Sequence, residues 1–224
     1  MIAPEDTAVA PPRERSADPI LGSKQERRRA QLELLRTLTH REMRGRYRDS
    51  MLGSAWTVLQ PLLMTGIYYF IFAFLFKSSS VIPNYALFVL VGIILWNFFA
   101  NVISNGTMSL LANSDIIRKV WFRRELIPMS VALANALTTA VLLVLAIAAC
   151  VWANPATLRT VWLLPIPFAL LVALCFGLAT LLGVANVFFR DISHLVSVAL
   201  LPLFFLTPIF YSLSAFPIRP PDWV

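Results

Sequence analysis

Five long windows of this chain carry no Asp, Glu, Lys or Arg: Ala55–Phe76, Ser78–Ser114, Leu126–Leu158, Thr160–Phe189 and Ile192–Ile218. A helix of roughly 20 apolar residues crosses the hydrocarbon layer of a bilayer, so each window holds one such helix. With 58% of the 224 residues hydrophobic and only 14% charged, a soluble domain could not hide the apolar side chains, and the fold class is an all-α integral membrane protein. Barrel strands would be shorter and polar on alternate residues, which excludes them. The spacing predicts five transmembrane helices near residues 55–76, 86–111, 128–152, 162–186 and 194–212.

Lys and Arg are distributed unevenly about these spans. Eleven precede the first span, four (Arg118, Lys119, Arg123 and Arg124) follow the second and Arg190 follows the fourth, while only Lys77, Arg159 and Arg219 fall on the other side. The basic side is expected to be cytoplasmic, which places the N-terminus there. The net charge of +7 is therefore a topological signal. Nucleic-acid binding would need those residues gathered on a soluble surface, and no soluble domain is predicted to carry one. Residues 1–24 read as a disordered cytoplasmic leader without the apolar core of a cleaved signal peptide. Residues 25–54 read as an amphipathic interface helix and the approach to the membrane, 55–212 as the transmembrane domain and 213–224 as an extracytoplasmic tail.

The stretch from His40 to Pro61 joins these parts. Its first half holds Arg41, Arg44, Arg46 and Arg48, and its second half becomes apolar past Gly53 and Trp56. Trp56 is placed as an interfacial anchor, being apolar with one donor to satisfy. In the helix before it, Leu32, Leu35, Leu38 and Met43 fall near one face and Leu34 widens it, the pattern of a helix lying at a membrane surface. Pro61 is expected to kink the first span. In the second span Asn97, Asn101 and Asn105 recur every four residues with Ser109 next in register, so they share one face. Amides facing lipid are costly, so this stripe faces either another helix or a hydrated path.

The loop from Asn113 to Glu125 mixes Asp115, Arg118, Lys119, Arg123 and Arg124 with Ile116, Ile117, Val120, Trp121 and Phe122. Asn113 or Ser114 is placed to cap a short helix there. Such a helix suits a groove on a cytoplasmic partner or the lipid headgroups. Spans three and four repeat small residues at four-residue spacing: Ala132, Ala136 and Ala140, then Ala173 with Gly177 and Ala179 with Gly183. That spacing lets helix backbones approach closely. Cys150 and Cys175 read as apolar packing residues inside spans.

The spans contain no charged residue for an ion-coupled relay. No histidine–cysteine cluster suggests a metal, and no phosphate-binding loop occurs. Any work the protein does must draw its energy from another chain.

Arg41 through Trp56 and Pro61 resemble the opening motif, R-E-x-x-x-R-Y-x-x-S-x-L-G-x-x-W followed by P, of the membrane-spanning subunits of polysaccharide-exporting ABC transporters (O-antigen, capsule and teichoic-acid exporters). The motif falls on Arg41, Glu42, Arg46, Tyr47, Ser50, Gly53 and Trp56, with Leu35 just upstream. The loop around Asn113, Ile117, Lys119 and Phe122 is similar to the family's link between spans two and three, although Arg123 stands where a proline often follows. Asn186, Arg190 and Asp191 resemble its turn between spans four and five, and Pro208 to Tyr211 the end of span five. The resemblance implies a permease that pairs with a second copy and docks on a separate ATPase dimer. ATP and Mg would be held by that ATPase, with no cofactor in this chain. It also implies that residues 115–122 form an ATPase-coupling helix. Spans one and five would line the path of a lipid-linked polysaccharide. Tyr68, Tyr69, Phe204, Phe205 and Tyr211 are the candidate aromatics for sugar stacking. The family has six spans, so the sixth is expected to be missing from these residues, with Leu213–Val224 beginning an outer gate. An ABC exporter of a small hydrophobic compound and a non-transporting scaffold are the other readings. A membrane enzyme on lipid-linked sugar would need a carboxylate or histidine that the spans do not offer.

Overall fold

The computed structural model describes residues 24–45, 53–71, 84–119 and 122–210. Arg46, Tyr47, Ser50, Val120, Trp121, Tyr211, the leader 1–23 and the tail 213–224 lie outside the described residues. Within them the chain forms helices α1 (Lys24–Gly45), α2 (Trp56–Tyr69), α3 (Tyr85–Ala112), α4 (Ser114–Lys119), α5 (Leu126–Ala153), α6 (Leu158–Val161), α7 (Pro165–Phe188) and α8 (Ile192–Leu206), and no strand. At 1.5 Å per residue, the 28, 28 and 24 residues of α3, α5 and α7 reach about 36–42 Å, beyond the roughly 30 Å hydrocarbon layer. The helices α2 and α8 are shorter apolar members of the same bundle.

The boundaries follow local chemistry. Pro165 opens α7 at a position where its missing N–H would have had no helical partner anyway. Asn154 ends α5 and accepts a hydrogen bond from the Ala156 N–H, which turns the chain toward α6. Gly53 sits at φ 49°, a left-handed conformation that glycine adopts without steric cost, just before Trp56 begins α2. The expected end of span five near residue 212 is corrected: α8 stops at Leu206, and Thr207 is extended at ψ 133°. The cause is Pro208, whose ring disfavours the helical region for the residue before it.

Helix α3 is the hub. It packs on α7 and α5 along its length, and on α2 and α8 over shorter stretches, while α1 lies against α5. Gly106 and Ala179 mark the closest crossing, where a Cβ added at Gly106 would stand 2.5 Å from that of Ala179. Gly183 meets the Gly106 carbonyl in the same way, at 3.1 Å. The pair Ala179 and Gly183 therefore packs as its spacing implied. The other pair, Ala173 and Gly177, faces outward, and nothing lies within 4 Å of a Cβ at Gly177. Around this crossing Phe98, Val102, Ala132 and Cys175 form the central core. The outward faces keep large apolar residues, such as Leu170, Leu174, Leu181 and Val184 on α7, as a surface toward lipid requires.

Hydroxyls inside the bundle bond back to their own helices: Thr107 to the Ile103 carbonyl, Thr65 to Pro61 and Thr180 to Phe176. This satisfies them without water.

Because α3 and α7 touch backbone to backbone, Gly106→Ala overpacks the crossing and is expected to cost about 1–3 kcal/mol. Thermal unfolding in detergent should show a lowered midpoint for Gly106→Ala and an unchanged or slightly raised one for Gly177→Ala.

Candidate functional site

Consecutive helices run in alternating directions, so the chain gathers two chemically different ends. One end holds α1, α4, Arg123, Arg124 and Arg190; the other holds Asn84, Asn154, Arg159 and the Thr207–Phe210 turn. The described charges are thus concentrated at the first end.

At that basic end the structure joins two segments far apart in sequence. The Arg41 guanidinium, on α1, donates a 2.6 Å hydrogen bond to Asn113 Oδ1. Asn113 Nδ2 donates to the Ser109 carbonyl at 2.8 Å, closing α3. The Asn113 carbonyl accepts from the N–H groups of Ile116 and Ile117, opening α4. Asn113 therefore starts α4 through its backbone, while its side chain links α3 to α1. Beside it Leu38, Leu110 and Ile127 form an apolar cluster, with Leu34, Ile117 and Phe122 packed against it.

Leu35 and Leu38 are buried together with Thr39, but Leu32 and Met43 are exposed. The apolar face expected of α1 is thus divided. Its centre covers α5, and its flank, one step round the helix, stays open as a surface helix on a bilayer requires. Glu42 is half-buried. On α4, Ile117 faces inward and Ile116 is half-buried, while Asp115, Arg118 and Lys119 are exposed. The surface that α4 offers is therefore charged, and its apolar residues hold the helix in place. Asn186, on α7, performs a similar joining role nearby. It is buried, donates to the Thr107 carbonyl at 3.1 Å and accepts from the Ser193 N–H at 3.2 Å.

Toward the opposite end, aromatics converge from α2, α3 and α8. Tyr68 lies 5.3 Å from Phe204 and 4.9 Å from Phe210 between ring centroids. Trp96 meets Phe204 at 5.3 Å, and the Tyr85 hydroxyl donates to the Phe210 carbonyl at 3.0 Å. Of the sequence candidates, Phe204 is a buried core residue and Tyr68 is half-buried against it, whereas Tyr69 and Phe205 are exposed. Tyr85 was not singled out from the sequence, since a lone tyrosine at the start of an apolar window carries no spacing signal.

A groove of about 290 Å³ runs between α2, α3 and α8, lined by Gln60, Met64, Tyr68, Trp96, Asn97 and Phe204 among others. Next to it is a polar notch of about 50 Å³ between α2, α3 and α5. The stripe on α3 therefore divides: Asn97 belongs to both cavities, Asn101 to the notch, Asn105 is exposed and Ser109 is buried and bonded to the Gly106 carbonyl.

A bundle of membrane-length apolar helices with one basic end and a groove between helices defines a multi-pass membrane protein. Comparison with known proteins agrees. The sequence profile of the ABC-2 type transporter family matches residues 33–224. Two proteins of Klebsiella pneumoniae named O-antigen export system permease protein RfbA are each 34% identical over 186 residues, covering 83% of this chain and 71% of their own. The protein of that name in Myxococcus xanthus is 35% identical over 187 residues, covering 81% of this chain and 69% of its own. The chain belongs to the ABC-2 type transporter family. It is a transport permease rather than an enzyme, and the family implies an ATPase partner.

The Arg41–Asn113 bond is charge-assisted but exposed, so it is expected to contribute about 1 kcal/mol. Arg41→Ala and Asn113→Ala should each loosen α1, and the double variant should be less destabilised than the sum of the two. Hydrogen exchange of the α1 amides across that double-mutant cycle measures the coupling.

Proposed function

We propose that this chain is one half of a homodimeric permease that exports a lipid-linked polysaccharide across the bacterial cytoplasmic membrane. The basic end faces the cytoplasm, with the N-terminus on that side. ATP and Mg are bound and used by a separate ATPase dimer docked there. The observation that carries this reading is the seating of α4. It hangs from the end of α3 through Asn113, is tied to α1 through Arg41, and leaves Asp115, Arg118 and Lys119 outward. A short helix held in this way transmits a push without deforming. Motion received at α4 passes to α3, the helix on which α2, α7 and α8 pack, so the bundle moves as packed bodies. The polysaccharide substrate is taken from the relatives, whose names assign them to O-antigen export.

The role of the remaining residues follows. Arg41 and Leu35 hold α1, with Glu42 half-buried beside Arg41, Gly53 makes the turn toward the bilayer and Trp56 anchors the start of α2. The exposed rings of Tyr69 and Phe205 are available to a passing sugar, while Tyr68 and Phe204 shape the groove from behind. Ile117 and Phe122 fix α4 rather than fill a pocket on the ATPase.

Reversing both outward charges with Arg118→Glu and Lys119→Glu should weaken ATPase docking by about 1.4 kcal/mol or more, a roughly tenfold change in affinity. Co-purification of the ATPase with the permease from membranes should fall accordingly, with permease abundance unchanged. Undiminished co-purification would remove α4 from the docking surface.

A further inference from the structure

We propose that the notch between α2, α3 and α5 is a subsite for the neutral hydroxyl groups of a sugar, an inference that rests on the polysaccharide reading above. Four side-chain amides meet there, Gln60, Asn97, Asn101 and Asn135, together with Thr57, Thr138 and Thr139. None of the described lining residues is charged, which disfavours an ion or a phosphate. An amide carries both donors and acceptors, and so does a sugar hydroxyl.

The notch has unused hydrogen-bonding capacity. Among the described residues, the Gln60 and Asn97 side chains and the Thr139 hydroxyl make no hydrogen bond, and Thr139 is only 5% exposed. Asn101 and Asn135 each use one N–H on their own helix, to the Asn97 and Val131 carbonyls. Pro61 has no N–H to give the Thr57 carbonyl, which leaves a backbone acceptor at the same place without its ordinary helical donor. Asn97 on α3 and Thr139 on α5 lie midway along membrane-length helices, where polar groups in this state are costly against lipid, so the face they form with the first turns of α2 meets water or a polar ligand.

The shape of the notch favours a small hydroxylated ligand over a second copy of the chain. Thr139 and Asn135 form its buried floor, beyond the reach of a helix laid across the opening. A volume of about 50 Å³ admits one or two waters, at about 30 Å³ each, or a hydroxyl in their place. The adjoining groove of about 290 Å³ shares Gln60 and Asn97 with the notch and brings the rings of Trp96 and Tyr68 alongside. A sugar in the groove would set its ring against an aromatic face while its hydroxyls replace water at the amides.

The test uses the permease–ATPase complex in proteoliposomes and measures ATP hydrolysis against a synthetic polyprenyl-diphosphate-linked oligosaccharide, with the sugar-free carrier as reference. The oligosaccharide should stimulate the wild-type complex and the carrier should not. The near-isosteric Asn97→Leu and Gln60→Met should each raise the half-maximal oligosaccharide concentration about tenfold, which is about 1.4 kcal/mol. Asn105→Leu, on the same stripe but outside the notch, should behave as wild type, and Asn97→Gln should recover part of the loss. An unshifted half-maximal concentration in both Asn97→Leu and Gln60→Met, with the wild type stimulated, would overturn this inference alone. Separation of the permease dimer by either variant would overturn it in favour of a second copy at the notch. Failure of the oligosaccharide to stimulate the wild type would overturn the polysaccharide reading and this inference with it.

Discussion

The bundle depends on how closely α3 and α7 approach at Gly106 and Ala179. Lipid tails are as apolar as leucine, so there is little hydrophobic drive to bring helices together within a bilayer. Close packing and a few interhelical hydrogen bonds must do it instead. The missing Cβ at Gly106 permits the contact, and the buried Asn186 amide fixes its register by bonding to the carbonyl of Thr107, the next residue along α3. Asn186 also receives the Ser193 N–H, so the same side chain sets where α8 begins. A shift at this crossing would displace α7 and α8 together.

From that crossing α3 extends in two directions with different tasks. Toward the basic end it terminates in Asn113, whose backbone starts α4 and whose side chain holds Arg41. Toward the other end it carries Asn97 and Trp96 into the groove and Tyr85 onto the Phe210 carbonyl. One continuous helix therefore connects the surface proposed to receive the ATPase with the surface proposed to receive the sugar. That continuity is a simple route by which docking and translocation are coupled, since each end of α3 is itself fixed by a hydrogen bond to another segment.

Much of this was legible in the sequence because the physics is local. Uncharged windows of span length, the placement of Lys and Arg, and small residues at four-residue spacing each follow from the bilayer alone. The windows gave α3, α5 and α7 to within a few residues. Gly53 stood out at the switch from basic to apolar, and its positive φ explains why a glycine is there. What stayed hidden depends on which face meets which. The spacing could not choose between Ala179 with Gly183 and Ala173 with Gly177, because both allow close approach and only one pair finds α3. Ile117 looked available to a partner, but it is half-buried and packs against the Leu38, Leu110 and Ile127 cluster. Gln60 comes from α2 and Asn135 and Thr139 from α5, so no one-dimensional pattern brings them to the notch beside Asn97 on α3.

An ATPase can dock at α4 only where the basic end, with α1 and α4, faces the compartment that supplies ATP. The most direct measurement is labelling of single cysteines by a membrane-impermeant maleimide, after replacing Cys150 and Cys175 with alanine. Lys119→Cys should react in inverted membrane vesicles and stay unlabelled in intact cells, and Arg159→Cys should show the reverse. Labelling of Lys119→Cys from outside intact cells would contradict the orientation, and with it the docking of an ATPase at α4.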